Sequence, residues 1–351
     1  MIAVKKEQIK AVSTAILICA ALLLPLASCD VNNPWAGDGN VPNSQATHTP
    51  PNVPLDKIES SDGSDVSDVT PSQTETAYQI PDFPMPIASG QKVSSNERAE
   101  IDYSNAEHGY VMVRFLVDTD MELRTLVANP CGDRVYTYVI YVPHQFEVLP
   151  LTGGDGEYNI SVFEQIEGDR YSSVLSHSID VILEDEFAPF MRPNQFVNFN
   201  RETKVIAVAA GLVQGIDDFH ERVAEIYHFV VTHLEYDFEL AATVQPGYLP
   251  DLDVVYVNGR GICFDYSAMM TAMLRSIGVP TQLVIGYAGE AYHAWINVYS
   301  ENDGWIDGLL FFDGHKWHYM DPTFTSAGGL DNEAIRQLIG GGTAYNGMWT
   351  Y

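Results

Sequence analysis

Three residue types that together can perform nucleophilic catalysis occur in order along one C-terminal stretch. Cys263 opens an apolar run, His293 opens a later one, and Asp321 directly follows a third. A thiol nucleophile needs a base to take or give its proton, and the base needs an acceptor that orients its ring. The order of these residues therefore predicts a Cys–His–Asp site.

The residues around Cys263 predict that it lies at the N-terminus of a helix. Gly259 and Gly261 allow a tight turn before it, and apolar side chains then recur at helical spacing until Gly278 and Pro280 end the pattern. Free N–H groups and the positive end of the helix dipole stabilise a thiolate at such a position. Taken alone, a cysteine opening an apolar helix is more often a small buried hydrophobe.

Three predicted strands follow the helix and favour a catalytic role for Cys263 over that of a buried hydrophobe. They are Thr281–Tyr287, Tyr292–Tyr299 and Lys316–Met320. If the strands are neighbours in one sheet, His293 at the start of the second lies beside Asp321 at the end of the third. The start of the helix can then bring Cys263 to the other ring nitrogen of His293.

The stretches GRGICFDYSAMMTAMLRSIGVP, YHAWINVY and KWHYMDPTF stand in this order. They resemble the blocks G-x-C-x-D-Y/F-A, H-A-W and W-x-x-x-D-P-T of the transglutaminase-like superfamily. The resemblance covers about residues 205–325 and implies a papain-like α+β fold. It also implies that Cys263 is the nucleophile, His293 the base and Asp321 the residue that orients His293. A long segment between the last two blocks, SENDGWIDGLLFFDGH, departs from the pattern and predicts a loop or hairpin near the cleft.

Three further residues near the motifs have less specific assignments. Asp265 is expected to make a structural hydrogen bond or ion pair, because the cysteine already has a base. Trp295 can pack or contact substrate, and the sequence does not separate the two roles. The backbone N–H of Cys263 is the first candidate for an oxyanion donor, with the side chain of Tyr256 as a second candidate.

The sequence predicts no metal and no cofactor. A helix over 219–234, capped by Asp218 with Glu221, has His220, His228 and His233 on or beside it, but no two of these histidines have the i, i+4 spacing of a zinc pair. No calcium loop of the EF-hand type is present either.

The N-terminus predicts export and a lipid anchor. Lysines precede an apolar run from Ala11 to Leu24, which is too short for a mature membrane span. The run leads into Leu26-Ala27-Ser28-Cys29, which resembles the lipobox of bacterial lipoproteins and implies lipidation of Cys29. A secretory signal of the ordinary kind, or an uncleaved anchor, is the alternative.

Composition divides the rest of the chain into a stalk and two domains. Residues 1–28 are the predicted signal peptide, and residues 29–98 are rich in Pro, Ser, Asp, Asn and Thr and predict a disordered stalk. Short β-branched and aromatic runs in residues 99–190 predict a small all-β sandwich. Residues 191–351 contain the helix and the motifs. The expected fold class is therefore α+β, a papain-like transglutaminase core preceded by a sandwich-like domain.

The formal net charge of −29 excludes classes of partner. Nucleic acids and anionic lipid surfaces need Lys and Arg, so no nucleic acid is expected and the membrane is reached only through the lipid anchor. We expect an extracytoplasmic cysteine acyl-transfer enzyme acting on amide bonds of peptides, proteins or cell-wall material. Hydrolysis is favoured over cross-linking, because water is always present at the cell surface.

Two non-catalytic alternatives remain open at the level of sequence. One is a binding or scaffold lipoprotein that retains a transglutaminase-like fold, although an intact Cys–His–Asp set argues against it. The other is a solute-binding lipoprotein, which would need two α/β lobes. The strands predicted between residues 99 and 185 do not alternate with helices, and this argues against the second alternative.

Overall fold

The computed structural model describes residues 79–130, 132, 134–288, 291–308, 310–312, 317–319 and 345–351. Three predicted features lie outside the described residues: the signal peptide with its lipidation site Cys29, the stalk up to residue 78, and Asp321. The described residues fall in one compact unit. None of their helices is both long enough and apolar enough to cross a membrane.

The N-terminal half is an antiparallel β sandwich, as predicted. One sheet has the strand order β1-β2-β3-β6 and the other the order β5-β4-β7-β8. The strands are β1 (Val93–Ser95), β2 (Ala99–Asp102), β3 (Tyr110–Phe115), β4 (Leu123–Ala128), β5 (Val135–Val139), β6 (Glu147–Pro150), β7 (Gly156–Glu167) and β8 (Arg170–Val181).

Alternating side chains build the core between these sheets. Tyr158, Ile160 and Val162 on β7 are fully buried, while the residues between them are less buried. Leu123 and Val127 on β4 are also buried. Strands β4 and β7 thus place one face inward and leave the other less buried, which is the pattern of a half-buried antiparallel sheet. Strand β3 is different, because Tyr110, Val111, Met112 and Val113 are all buried.

The C-terminal half packs helices against a second antiparallel sheet. Its helices are α1 (Lys204–Leu212), α2 (Phe219–His233), α3 (Phe238–Thr243), α4 (Leu252–Asn258) and α5 (Cys263–Ser276). Two short parallel strands, β9 (Glu235–Tyr236) and β10 (Arg260–Gly261), join the segments before α3 and α5.

The second sheet has the order β13-β12-β11-β16, and α5 packs on its two central strands. Its strands are β11 (Thr281–Ala288), β12 (Ala291–Ser300), β13 (Gly304–Ile306) and β16 (Tyr345–Thr350). A separate pair, β14 (Leu310–Phe312) with β15 (Trp317–Tyr319), follows β13. The fold class is therefore α+β, as predicted.

The structure corrects the predicted end of the stalk. Residues 79–98 were assigned to a disordered stalk, but Phe83 is only 4% exposed and its ring lies 5.3 Å from that of Phe199. Asp82 forms an ion pair with Arg201, and β1 begins at Val93. The prediction was wrong for these residues because an extended strap has no helix or strand periodicity, so one buried aromatic leaves little signal in the sequence.

An aromatic cluster joins the sandwich to the C-terminal half. It consists of Tyr136, Tyr138, Phe196, Phe264 and Tyr351. The rings of Phe196 and Tyr351 stack with centroids 4.0 Å apart, and Tyr138 meets them edge-on at 5.7 and 6.1 Å. Phe264, the residue after Cys263, lies 6.1 Å from Phe196. The sandwich therefore contributes to the packing around the start of α5.

Tyr138 offers a test of this interface. Its ring is buried among aromatic neighbours, but its hydroxyl has no hydrogen-bond partner among the described residues. Tyr138→Ala should cost about 3–5 kcal/mol through the cavity it leaves. Tyr138→Phe should be neutral or stabilise the fold by about 1 kcal/mol, because it removes a buried unsatisfied hydroxyl. Urea unfolding followed by tryptophan fluorescence measures both, and a clear loss of stability in Tyr138→Phe would contradict the assignment.

Candidate active site

Cys263 is the first residue of α5, as the sequence predicts. Ile262 is the N-cap residue and has extended dihedral angles, φ −100° and ψ 178°. The Cys263 side chain is half-buried, and its thiol is in no disulfide with another described residue. This geometry points the free N–H groups of the first helical turn towards the region of the thiol. Anionic groups at that end of α5 are therefore favoured.

The turn before Cys263 depends on its two glycines. Gly259 ends α4 in the left-handed region with φ 62°, which favours glycine. A Cβ atom on Gly261 would lie 2.6 Å from the Cβ of Asp265, so no side chain fits there without movement. Hydrogen bonds between β9 and β10 then hold the turn from the other side.

Asp265 closes the first turn of α5. Its carboxylate is fully buried and accepts a hydrogen bond from the Ile262 N–H at 2.7 Å. The Tyr248 hydroxyl donates a second hydrogen bond to it, also at 2.7 Å. Burial raises the pKa of Asp265, and these two hydrogen bonds act in the opposite direction. The contacts are those of the structural role expected for this residue.

Two further side chains fix α5 along its length. Tyr266 donates from its hydroxyl to the carbonyl oxygen of Leu234, at the end of α2. Arg275 is fully buried, and its guanidinium donates to the main-chain oxygens of Thr281, Arg192 and Tyr351 at 2.6–2.9 Å. Burial lowers the pKa of Arg275 to about 9, so the side chain remains a cation at neutral pH. The helix is thus held near both of its ends.

His293 lies near the start of β12 and is 5% exposed. Its partner on β11 is Gly286, and its ring lies 6.2 Å from that of Trp295 and 6.3 Å from that of Tyr345. The helix that begins at Cys263 packs against the strand that carries His293. The helix that begins at Cys263 and the strand that carries His293 are therefore in contact. The assignment of Asp321 as the orienting residue stays a prediction.

Trp295 packs inside the sheet region, which favours the first of its two predicted roles. Its indole is 4% exposed and contacts the ring of Tyr345 at 5.0 Å. A Cβ atom on Gly286 would come within 2.9 Å of the indole and 2.1 Å of the main-chain oxygen of Asn346. The missing side chain at Gly286 therefore makes room for both the indole and β16.

Tyr256 lies on α4, and its candidacy as an oxyanion donor stays a prediction. Its ring stacks on that of His233 with centroids 4.7 Å apart and lies 6.4 Å from Phe229. The His233 ring nitrogen also lies 2.7 Å from the Tyr256 main-chain oxygen. These contacts place one side of the phenol against α2.

Tyr248 is the residue near this site that sequence reasoning missed. It lies in the irregular segment between α3 and α4, and its ring meets that of Phe264 at 6.4 Å. No periodicity or motif singles it out, so its contact with Asp265 becomes visible only in three dimensions. Among the described residues, no group of three or more His, Cys, Asp and Glu side chains could hold a metal ion.

Comparison with protein families gives a match over the region that contains this site. Residues 206–307 match the model of the transglutaminase-like superfamily. The matched residues include α2, the turn before Cys263, α5 and the strand that carries His293. The match contains two of the three motifs, those around Cys263 and His293, and ends before the third motif with Asp321.

Individual relatives are distant. A protein-glutamine gamma-glutamyltransferase from Pseudomonas aeruginosa is 23% identical over 107 residues, which are 26% of this chain and 14% of that protein. A proposed cysteine protease from Cytophaga hutchinsonii has 13% identity and a TM-score of 0.32 over 61% of this chain and 71% of that one. Red sea bream transglutaminase has 11% identity and a TM-score of 0.28, over 67% of this chain and 54% of its own.

The close approach of Gly261 to Asp265 predicts a sensitive position. Gly261→Ala should destabilise the protein by about 1–3 kcal/mol, because the new Cβ forces the Asp265 side chain away from the Ile262 N–H. Thermal unfolding and the rate of Cys263 alkylation measure the two consequences. Gly168→Ala is the control for general destabilisation, since a Cβ there meets open space but φ of 54° strains any side chain. It should lower the melting temperature and leave the alkylation rate of Cys263 unchanged. An unchanged alkylation rate in Gly261→Ala would show that this contact does not position the thiol.

Proposed function

We propose that this chain, in which residues 206–307 form a transglutaminase-like domain, is a cysteine acyl-transfer enzyme that acts on amide bonds. One observation carries the proposal. A half-buried thiol, in no disulfide with another described residue, opens a helix that packs on the strand bearing a buried histidine. A thiol and an imidazole on packed elements are the minimum that nucleophilic catalysis on an amide requires.

The reaction has two steps. The Cys263 sulfur attacks the amide carbonyl carbon, and the C–N bond breaks as the His293 imidazolium gives a proton to the leaving amine. Water then attacks the resulting thioester while His293 accepts a proton from it. Collapse of the tetrahedral intermediate breaks the C–S bond, releases a carboxylic acid and restores the Cys263 thiolate beside the His293 imidazolium. Asp321 would hold the other ring nitrogen of His293, and the backbone N–H of Cys263 would stabilise the oxyanion.

The acceptor in the second step decides between hydrolysis and cross-linking. We propose water as the acceptor and peptide or cell-envelope amides as substrates, because water is abundant wherever the protein is exported. A primary amine in place of water would give a cross-linked product instead. The relative from Pseudomonas aeruginosa is named a glutamyltransferase, so the experiment below also tests a primary amine as the acceptor.

The proposed location is outside the cytoplasm, with the chain held on the membrane by lipid on Cys29. The support is the sequence before and including Cys29, with its basic start, apolar run and lipobox-like end. Two acyl chains on one cysteine suffice for stable anchoring.

The thiol and the histidine should act as one unit. Cys131 is the internal control, because it lies in the turn-like sequence NPCGD and has no base in its local sequence. Iodoacetamide should alkylate Cys263 faster than Cys131 at pH 6, measured for each peptide by mass spectrometry, and His293→Ala should slow the Cys263 reaction alone. Turnover of methylated casein should be lost in Cys263→Ala and fall about 10²–10⁴-fold in His293→Ala, because a general acid–base contributes that much.

The same substrate identifies the acceptor. Release of acid without an added amine supports hydrolysis, whereas incorporation of a fluorescent primary amine at a higher rate supports cross-linking. Equal alkylation rates of Cys263 and Cys131, with no effect of His293→Ala, would refute the proposal that this chain is an enzyme. A scaffold lipoprotein would then be the better explanation.

The anchor makes a separate prediction. Cys29→Ala should abolish incorporation of a labelled fatty acid and shift the protein from the membrane fraction, or leave the precursor unprocessed, because a thioether-linked lipid needs that sulfur. Fatty-acid labelling and fractionation of cells expressing the full chain measure this. Cys19→Ala is the matched control, because it removes a cysteine from the apolar run and leaves Leu26-Ala27-Ser28-Cys29 intact. Unchanged labelling in Cys29→Ala would contradict the assignment.

A further inference from the structure

We infer that Tyr248 is a positioning residue for Cys263, acting through the Asp265 carboxylate, and that Tyr141 of the sandwich holds the loop that presents Tyr248. The inference rests on the proposed role of Cys263 as the nucleophile. It assigns the β sandwich a part in the reaction, namely that of fixing the start of the catalytic helix.

The first link joins Asp265 to the residue before the thiol. Asp265 accepts from the N–H of Ile262, which is the N-cap of α5, at 2.7 Å. The N-cap sets where the first helical residue lies, and that residue is Cys263. Gly261 has no room for a Cβ beside Asp265, so the carboxylate and the turn are packed directly against each other.

The second link joins Asp265 to Tyr248. The Tyr248 hydroxyl donates to the other carboxylate oxygen at 2.7 Å, and the Tyr248 ring meets Phe264 at close to a right angle. Tyr248 thus contacts the residue that follows Cys263 as well as the carboxylate that holds the residue before it. A hydrogen bond from a phenol to a buried carboxylate is stronger than one between neutral groups.

The third link joins this loop to the sandwich. The Tyr141 hydroxyl, just beyond β5, donates to the main-chain oxygen of Gly247 at 2.7 Å. Gly247 has φ 87°, so the chain makes a glycine-dependent bend directly before Tyr248. Tyr141 is 48% exposed, so water can replace part of this bond. Its contribution should therefore be smaller than that of Tyr248.

The charges around the pair keep Tyr248 a donor. Burial raises the pKa of Tyr248 well above its usual value, and its hydrogen bond with Asp265 and the charges of Asp265, Asp237 and Asp251 act in the same direction. The titratable groups that act on Asp265 from the packed elements are Tyr248 and Asp237. Loss of the Tyr248 hydroxyl would raise the pKa of Asp265 further, because this hydrogen bond lowers it.

The test measures iodoacetamide alkylation of Cys263 in the full chain, which requires no substrate. Tyr248→Phe should slow the reaction about tenfold, the size expected when a hydrogen bond to a charged group is lost. Tyr141→Phe should slow it less. Tyr171→Phe is the matched control, because Tyr171 also donates to a carboxylate, that of Glu122 at 3.0 Å, but within the sandwich. It should leave alkylation unchanged.

A pH profile separates positioning from a general loss of stability. The alkylation rate of Cys263 falls as the pH is lowered, and this part of the profile is called the acid limb. In Tyr248→Phe the acid limb should move to higher pH, because the raised pKa of Asp265 lets its carboxylate take up a proton at a higher pH. Asp265→Asn keeps a side chain of the same shape but cannot titrate. Adding Tyr248→Phe to Asp265→Asn should therefore produce no further shift of the limb.

Four results would overturn the inference or part of it. Unchanged alkylation in Tyr248→Phe, or an equal loss in Tyr171→Phe, would remove Tyr248 as a positioning residue. A shift of the acid limb that persists in the Asp265→Asn background would show that Asp265 does not transmit the effect. Normal alkylation in Tyr141→Phe would remove the sandwich from the chain of contacts. Failure of the proposed function looks different, since the unmodified chain would then not turn over casein and His293→Ala would leave the alkylation of Cys263 unchanged.

Discussion

The burial of helix α5 is the constraint on which the rest of the structure depends. The side chains from Asp265 to Ser276 are buried, so a polar group among them depends on partners inside the protein. The Thr271 hydroxyl of this helix is without such a partner among the described residues. At its N-terminal end the partners are the Ile262 amide and the Tyr248 hydroxyl. At its C-terminal end Arg275 recruits main-chain oxygens from three separate segments. The position of Cys263 follows from these contacts, because the cysteine is the first residue of a helix that is fixed near both of its ends.

The sequence predicted the elements that have a strong local pattern. The apolar spacing after Cys263 and the stop at Gly278 predicted α5, and the structure places this helix at Cys263–Ser276. The capping pair of α2 was also predicted, and the Asp218 carboxylate accepts from the Glu221 N–H. Alternation in β7 and the β-branched run of β11 predicted these strands for the same reason, since a half-buried or buried strand leaves a regular pattern.

The parts that could not be predicted depend on distant partners. The strap around Phe83 is ordered because its ring meets Phe199, far along the chain. Helices α3 and α4 are short, and β16 carries glycine and polar residues that are no strong strand signal. Tyr248 is the clearest example, since its neighbours are unremarkable and its importance comes from one hydrogen bond to Asp265. Local propensity contains no information about such contacts.

The strap also determines how the protein responds to force. A pull applied through the residues before 79 reaches the contacts of Asp82 and Phe83 first, then β1 at the edge of its sheet. Chain order thus places one exposed ion pair and one buried ring contact between the pulled end and β1. Because β1 is an edge strand with one partner, its hydrogen bonds can open one after another like a zipper. The partners of the strap, Phe199 and Arg201, lie directly before α1, and residues 198–200 line one cavity with residues 249–251 of the loop between α3 and α4. A pull on the strap would therefore act on the segment beside the loop that presents Tyr248 as well as on β1.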